Sequence, residues 1–211
     1  MIKNSFIVIL MVLLSSPFWS QNKDFQIWAG MDVKHNFSKK LSVSLKEEVR
    51  TAYNSQLVKK VFTQVNITYR VIKPIKISLG YRHNFLFNAE DRAPVKRIYS
   101  DLVYSKKIKK FKPSVRFRYQ RQWNYESVDN TLRLKLKTTI NLPGTPINSF
   151  FSGEVFNTIY KGFDKCRFTV GLDRKITKKL SGKIYYRYQW ERNTSSVEKL
   201  NVMGIRLSLE I

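Results

Sequence analysis

Cysteine occurs once, at Cys166, and histidine only at His35 and His83. A lone thiol excludes an internal disulfide framework, and one Cys with two His cannot build a zinc finger. There are 8 Gly and 6 Pro, too few for a collagen-like or linker-like chain. No glycine-rich phosphate loop and no clustered set of metal ligands is visible. Acidic residues are scarce: 15 Asp+Glu face 39 Lys+Arg, a formal net charge of +24 on 211 residues. What is abundant is apolar material, 43% hydrophobic and 14% aromatic. That is enough for one folded domain and too much for a disordered basic tail.

Long apolar runs are also missing. The one uninterrupted run, Phe6 to Leu14, falls well short of the ~20 residues of a spanning helix. It follows Lys3 and precedes the small polar residues Ser15, Ser16 and Ser20. A positive start, a short apolar centre and a small-residue end predict a secretory signal peptide over residues 1–20, cleaved near Ser20–Gln21. Residues 21–211 then form the mature domain. Export changes the meaning of the charge. A cytosolic chain this basic would suggest nucleic acid; an exported one is expected to meet lipid phosphates and other envelope polyanions, and no nucleic acid.

From residue 24 onward, apolar and polar residues alternate. Phe25, Ile27, Ala29, Met31 and Val33 interleave with Gln26, Trp28, Gly30, Asp32 and Lys34; Val115, Phe117 and Tyr119 with Arg116, Arg118 and Gln120; Ile184, Tyr186, Tyr188 and Trp190 with Lys183, Tyr185, Arg187 and Gln189. Period two places alternate side chains on opposite faces of a strand. The pattern predicts strands over 24–37, 40–53, 59–71, 75–87, 97–106, 112–125, 131–142, 148–160, 166–176, 180–191 and 200–210. These are long. Globular strands average about five or six residues, whereas a tilted membrane-crossing strand needs about 9–11.

Alternation alone fits a soluble sandwich with an apolar core as well as a barrel with lipid outside. Strand length, the signal peptide and the aromatics favour the barrel. Tyr53, Tyr81, Tyr119, Trp123, Tyr125, Tyr186, Tyr188 and Trp190 gather at one end of their strands, as interfacial Tyr and Trp do. Short turns at Ser38-Lys39-Lys40, Lys73-Pro74, 106–111, 143–146 and 177–179 oppose longer loops expected at 54–58, 88–96, 126–130, 161–165 and 192–199. The expected fold is therefore all-β, an antiparallel up-and-down transmembrane β-barrel. Because single-chain bacterial barrels use even strand numbers, ten or twelve strands are expected, with twelve preferred.

Aligning the strands that leave the short turns brings five charges to one height. Glu48, Arg82, Arg118, Glu154 and Arg187 each lie seven residues after the first apolar residue of the strand, all with polar-face parity, and Arg50 lies two residues further on. Asp32, Arg70, Asp101, Arg133 and Asp173 on the returning strands have the same parity. Such a belt reads either as a salt-bridge network filling a small lumen or as a site for an anion, since Arg outnumbers acid on that face.

Phe25-Gln-Ile-Trp28-Ala-Gly30, the stretch from Leu41 to Glu48-Val49-Arg50, and Leu79-Gly80-Tyr81-Arg82 resemble the domain-of-unknown-function 2490 family of outer-membrane β-barrel proteins, over about residues 24–211. The resemblance implies an exported barrel in a Gram-negative outer membrane, with no assigned activity. The last residues, Leu209-Glu210-Ile211, differ from the terminal Phe or Trp usual for such barrels.

No catalytic centre is evident. His35 and His83 are followed two residues on by Phe37 and Phe85, not by the Ser that a His-Ser lipid hydrolase would use. Glu47 with Glu48, or Glu154 with Glu191, could form a carboxylate pair, but neighbouring Arg would keep them ionised. The expected function is a small outer-membrane barrel of structural or transport type with a basic lumen and no cofactor or metal. A lipid hydrolase and a secreted β-sandwich that binds polyanions are the alternatives. Expected partners are outer-membrane lipids, lipopolysaccharide phosphates, the barrel-assembly machinery during insertion, and an unidentified small solute or anion. The lysine-rich turns, from Lys39 and Lys40 round to Lys178 and Lys179, are either solubilising charge or a lipid-phosphate contact.

Overall fold

A computed structural model describes residues 23–87, 94–124, 127–192 and 197–211. The expected signal peptide, Tyr125 and most of the 88–96 loop lie outside the described residues. The described residues form eleven strands: β1 (Lys23–Asn36), β2 (Leu41–Ala52), β3 (Leu57–Ile72), β4 (Ile75–Leu86), β5 (Val95–Ser105), β6 (Phe111–Trp123), β7 (Val128–Asn141), β8 (Ile147–Thr158), β9 (Gly162–Lys175), β10 (Leu180–Arg192) and β11 (Val197–Glu210). Each pairs antiparallel with the next, and β11 returns to β1, closing the barrel.

Closure uses a parallel pair. β1 and β11 run in register from Lys23↔Lys199 to Lys34↔Glu210. An odd number of alternating strands brings first and last together pointing the same way, so eleven falls between the expected ten and twelve. The parity argument assumed an antiparallel seam. The parallel ladder satisfies both edges, and Ile211 N extends it to Lys34 O at 2.9 Å. A closed ladder leaves no edge strand unpaired.

The alternation fixes which face points where. Leu79 is 63% exposed, Phe168 60%, and Leu136 and Val170 55%, whereas Glu48 is 2% and Arg118 6% exposed. Large apolar side chains cover the outside and polar ones line the inside, the reverse of a soluble sandwich core. An apolar wall this large is not the surface of a soluble monomer.

The lysine turns lie together at one end, between β1 and β2, β3 and β4, β5 and β6, and β9 and β10, beside the lysine-free turn between β7 and β8. Two share a design. Ser38 Oγ accepts from Lys40 N at 3.1 Å and Leu41 N at 3.0 Å, and Thr177 Oγ1 accepts from Lys179 N at 3.2 Å and Leu180 N at 2.9 Å. The hydroxyl supplies the turn's acceptor, which leaves the lysines free to point outward. At the other end, the loops expected at 54–58 and 161–165 contract because β3 begins at Leu57 and β9 at Gly162. Tyr53, Asn54 and Ser55 reverse the chain with φ of 53°, 54° and 67°. Asp24 Oδ1 holds this left-handed turn by accepting from Asn54 N at 2.8 Å.

Candidate functional site

Two carboxylates organise the inner wall. Glu48 on β2 receives Lys46 Nζ at 2.7 Å, Arg50 Nη2 at 2.7 Å and Arg206 Nη2 at 2.6 Å. Glu154 on β8 receives Arg116 Nη2 and Arg133 Nη2, each at 2.6 Å, with Arg167 Nη1 at 4.0 Å. Removed from water, a carboxylate is tolerated only when paired and hydrogen-bonded; here each is shared among three cations. A third pair is a fork: Arg118 Nε and Nη2 donate to the two oxygens of Asp101 at 2.6 and 2.7 Å. Planar guanidinium matches carboxylate in this two-bond geometry.

Aromatic rings fill the space between these ions. Arg50 lies 3.6 Å from the centre of the Trp28 ring, Arg82 3.8 Å from Phe62, Arg118 3.7 Å from Tyr99, and Arg133 4.2 Å from Phe156. Arg187 lies 4.9 Å from Trp28 and 5.0 Å from Tyr185. Each such contact is worth about 0.5–2 kcal/mol, more when desolvated. Inner-wall glycines seat two of the rings. Gly80 stands opposite Tyr99, and Tyr185 stands between Gly171 and Gly204. A Cβ at Gly80 would meet the Tyr99 ring at 2.1 Å, and one at Gly204 the Tyr185 ring at 2.0 Å. The missing side chains let both rings lie against the wall.

All six residues of the expected belt line the inside. Glu48 and Arg50 touch directly. Glu154 and Arg118 sit in separate clusters, each with its own partners. Arg82 donates from Nε and Nη2 to Gln64 Oε1 at 2.9 and 2.5 Å, and Arg187 Nε donates to Thr169 Oγ1 at 3.0 Å. Of the additional positions, Asp101 and Arg133 join the belt. Asp32 is bonded to Ser208, Asp173 pairs with Lys183 at 3.5 Å, and Arg70 is exposed at the turn end. Lys46, Arg116, Arg167 and Arg206 are partners that the height alignment missed, although their parity marks them as inward. The plug of rings was missed as well: Trp28, Phe62, Tyr99 and Tyr185 share the polar parity while being apolar. At this height the lumen is filled, with Phe62 and Val202 0% and Asn84 1% exposed.

The groups that a lipid hydrolase would need are not together. His83 points outward with Nδ1 3.4 Å from the Tyr81 hydroxyl, while Ser78 is buried inside against Thr68. Glu191 is held by Lys165. An apolar groove of about 500 Å³ does exist, but it lies on the outer wall between Phe151, Phe168, Tyr186 and Tyr188, with no His, Asp or Glu in its lining. Among the described residues no group of His, Cys, Asp and Glu could hold a metal ion.

A family model described as Protein of unknown function (DUF2490) matches residues 25–201. No curated protein is similar enough to count as a relative. Among solved structures, the NanC porin in its rhombohedral crystal form superposes with a TM-score of 0.51 at 15% identity, covering 78% of this chain and 86% of that one. An anion-selective porin from Comamonas acidovorans gives a TM-score of 0.42 at 12% identity, covering 78% of this chain and 55% of that one. The fold is a porin-like closed β-barrel.

Proposed function

The chain belongs to the DUF2490 family, and from that premise we propose that it is a bacterial outer-membrane barrel of transport type, whose narrow basic lumen admits small anions. The carrying observation is the imbalance of charge on the inner wall. Glu48 and Glu154 are already shared among three cations each, and Asp101 and Asp173 are each paired with one, whereas Lys60, Arg82, Arg97, Lys135, Lys137 and Arg187 have no carboxylate within ion-pair distance among the described residues. Cationic walls of low dielectric attract anions and repel cations. The apolar outer wall supports residence in a bilayer. The exposed lysines that ring the turn end support contact with lipid phosphates there.

The test is ion selectivity. Purified, refolded protein in planar bilayers under a salt gradient is expected to give small conductance steps and a reversal potential of anion-favouring sign. Arg187→Gln, which removes a cation without orphaning a carboxylate, should shift that potential toward zero. A cation-favouring potential would overturn the reading.

The filled belt supports a second reading, in which the network is structural and the lumen stays shut. It predicts silent bilayers from protein whose gel mobility shows it to be correctly folded.

A further inference from the structure

The loop-side half of the inner wall, from β2 to β5, gathers cations with little acid beside them. Arg50 stands directly opposite Lys60, and Arg82 directly opposite Arg97. Like charges facing each other across a ladder destabilise it, and here two such pairs are neighbours. One ring ties them together: Arg82 and Arg50 both lie over Phe62, at 3.8 and 5.0 Å from its centre.

Arg50 is paired with Glu48, but Arg82 and Arg97 have partners that hold them without neutralising them. Arg82 spends Nε and Nη2 on Gln64 Oε1, and Arg97 spends the same two nitrogens on Gln122 Oε1. A glutamine oxygen fixes the guanidinium plane and brings no charge. In both residues Nη1 is left to donate elsewhere. The Lys60 ammonium makes no hydrogen bond or ion pair among the described residues. Glu48, the carboxylate beside Arg50, is already shared by Lys46, Arg50 and Arg206. The turn-side half differs, since there Asp173 answers Lys183. Ring stacking takes only the face of each guanidinium, and Arg50 spends Nε and Nη2 on Glu48 as Arg82 does on Gln64, so Nη1 is the edge each leaves for an anionic partner.

We propose that Arg50, Lys60, Arg82 and Arg97 form a binding site for a small dianion, a solute with two or more anionic oxygens close together, just inside the loop-side mouth. This deepens the anion-admitting reading and rests on it for the solute's route. A dianion would supply the charge that Gln64 and Gln122 do not, and would relieve repulsion within both cross-strand pairs.

The test is stabilisation of the folded barrel in detergent, read from its denaturant midpoint while inorganic phosphate is titrated at mildly alkaline pH and constant ionic strength. Ligand that binds only the folded state raises stability in a saturable way. Phosphate should do so, and acetate should not. Arg82→Gln with Arg97→Gln should raise the apparent dissociation constant for phosphate by at least about tenfold, the scale of lost charge-assisted hydrogen bonds. Without phosphate the same variant should be no less stable than the parent, because repulsion has been removed. The charge-matched control, Lys107→Gln with Lys178→Gln at the opposite rim, should leave phosphate binding unchanged. The proposal is overturned if acetate matches phosphate, if both double variants lose binding equally, or if the arginine variant is destabilised with its phosphate affinity intact. Anion selectivity without phosphate binding would remove the site and leave the functional reading. Phosphate binding without conductance would do the opposite.

Discussion

At the scale of single residues, arginine is what makes this interior possible. Its guanidinium can stack on a ring with its face and donate from its edge at the same moment. Arg118 does both, lying over Tyr99 while its fork holds Asp101. Lysine in its place would keep the charge and lose both geometries. Glu48 and Glu154 are the vulnerable points, because each neutralises several cations. Glu154→Gln leaves Arg116 and Arg133 desolvated without a counter-charge, and is expected to lower unfolding stability by about 3 kcal/mol, seen as a lower urea midpoint in detergent. Glu210→Gln, which breaks an exposed pair with Lys34 and keeps an oxygen to accept from Asn36, should cost less than about 1 kcal/mol in the same measurement. Equal effects would mean that the interior ions are solvated rather than shielded.

At the scale of strands, most boundaries were legible in the sequence, because period two reports directly which residues share a face. β4, predicted over 75–87, is Ile75–Leu86, and β10, predicted over 180–191, is Leu180–Arg192. The seam was not legible. Local alternation says nothing about which way a strand's distant neighbour runs, and β1 meets a partner at the far end of the chain. The seam makes a sharp prediction. In a Cys166→Ala background, Ala29→Cys with Ile205→Cys and Val33→Cys with Leu209→Cys should both cross-link under oxidant, since both pairs are in register. An antiparallel contact could satisfy only one of them. The glycine seats make another. A Cβ at Gly171 would meet the Ile184 carbonyl oxygen at 2.4 Å and the Tyr185 Cβ at 2.7 Å. Backbone cannot yield as a ring can, so Gly171→Ala should destabilise by about 2 kcal/mol, measured by the same urea midpoint.

At the scale of the whole molecule, the barrel is an inverted protein, greasy outside and ionic inside. That inversion was legible from strand length and aromatic placement. The charged half of the interior was legible too, because Glu48, Arg82, Arg118, Glu154 and Arg187 combine polar chemistry with inward parity. The other half was hidden by its chemistry. Trp28, Phe62 and Tyr99 have inward parity but apolar side chains, and sorting residues by polarity assigns them no role inside. Parity alone would have found them. The pairing of Gln64 and Gln122 with Arg82 and Arg97 was also out of reach, since it depends on registers between strands that no local pattern encodes.

The claim on which all of this depends is the direction of the side chains relative to lipid, and a nitroxide scan along β6 in reconstituted bilayers tests it most directly. Labels replacing Val115, Phe117 and Tyr119 should collide freely with oxygen dissolved in the hydrocarbon, and labels replacing Ser114, Arg116 and Gln120 should be protected from it, an alternation of period two. Equal collision rates along the strand, or an alternation of opposite phase, would contradict the account.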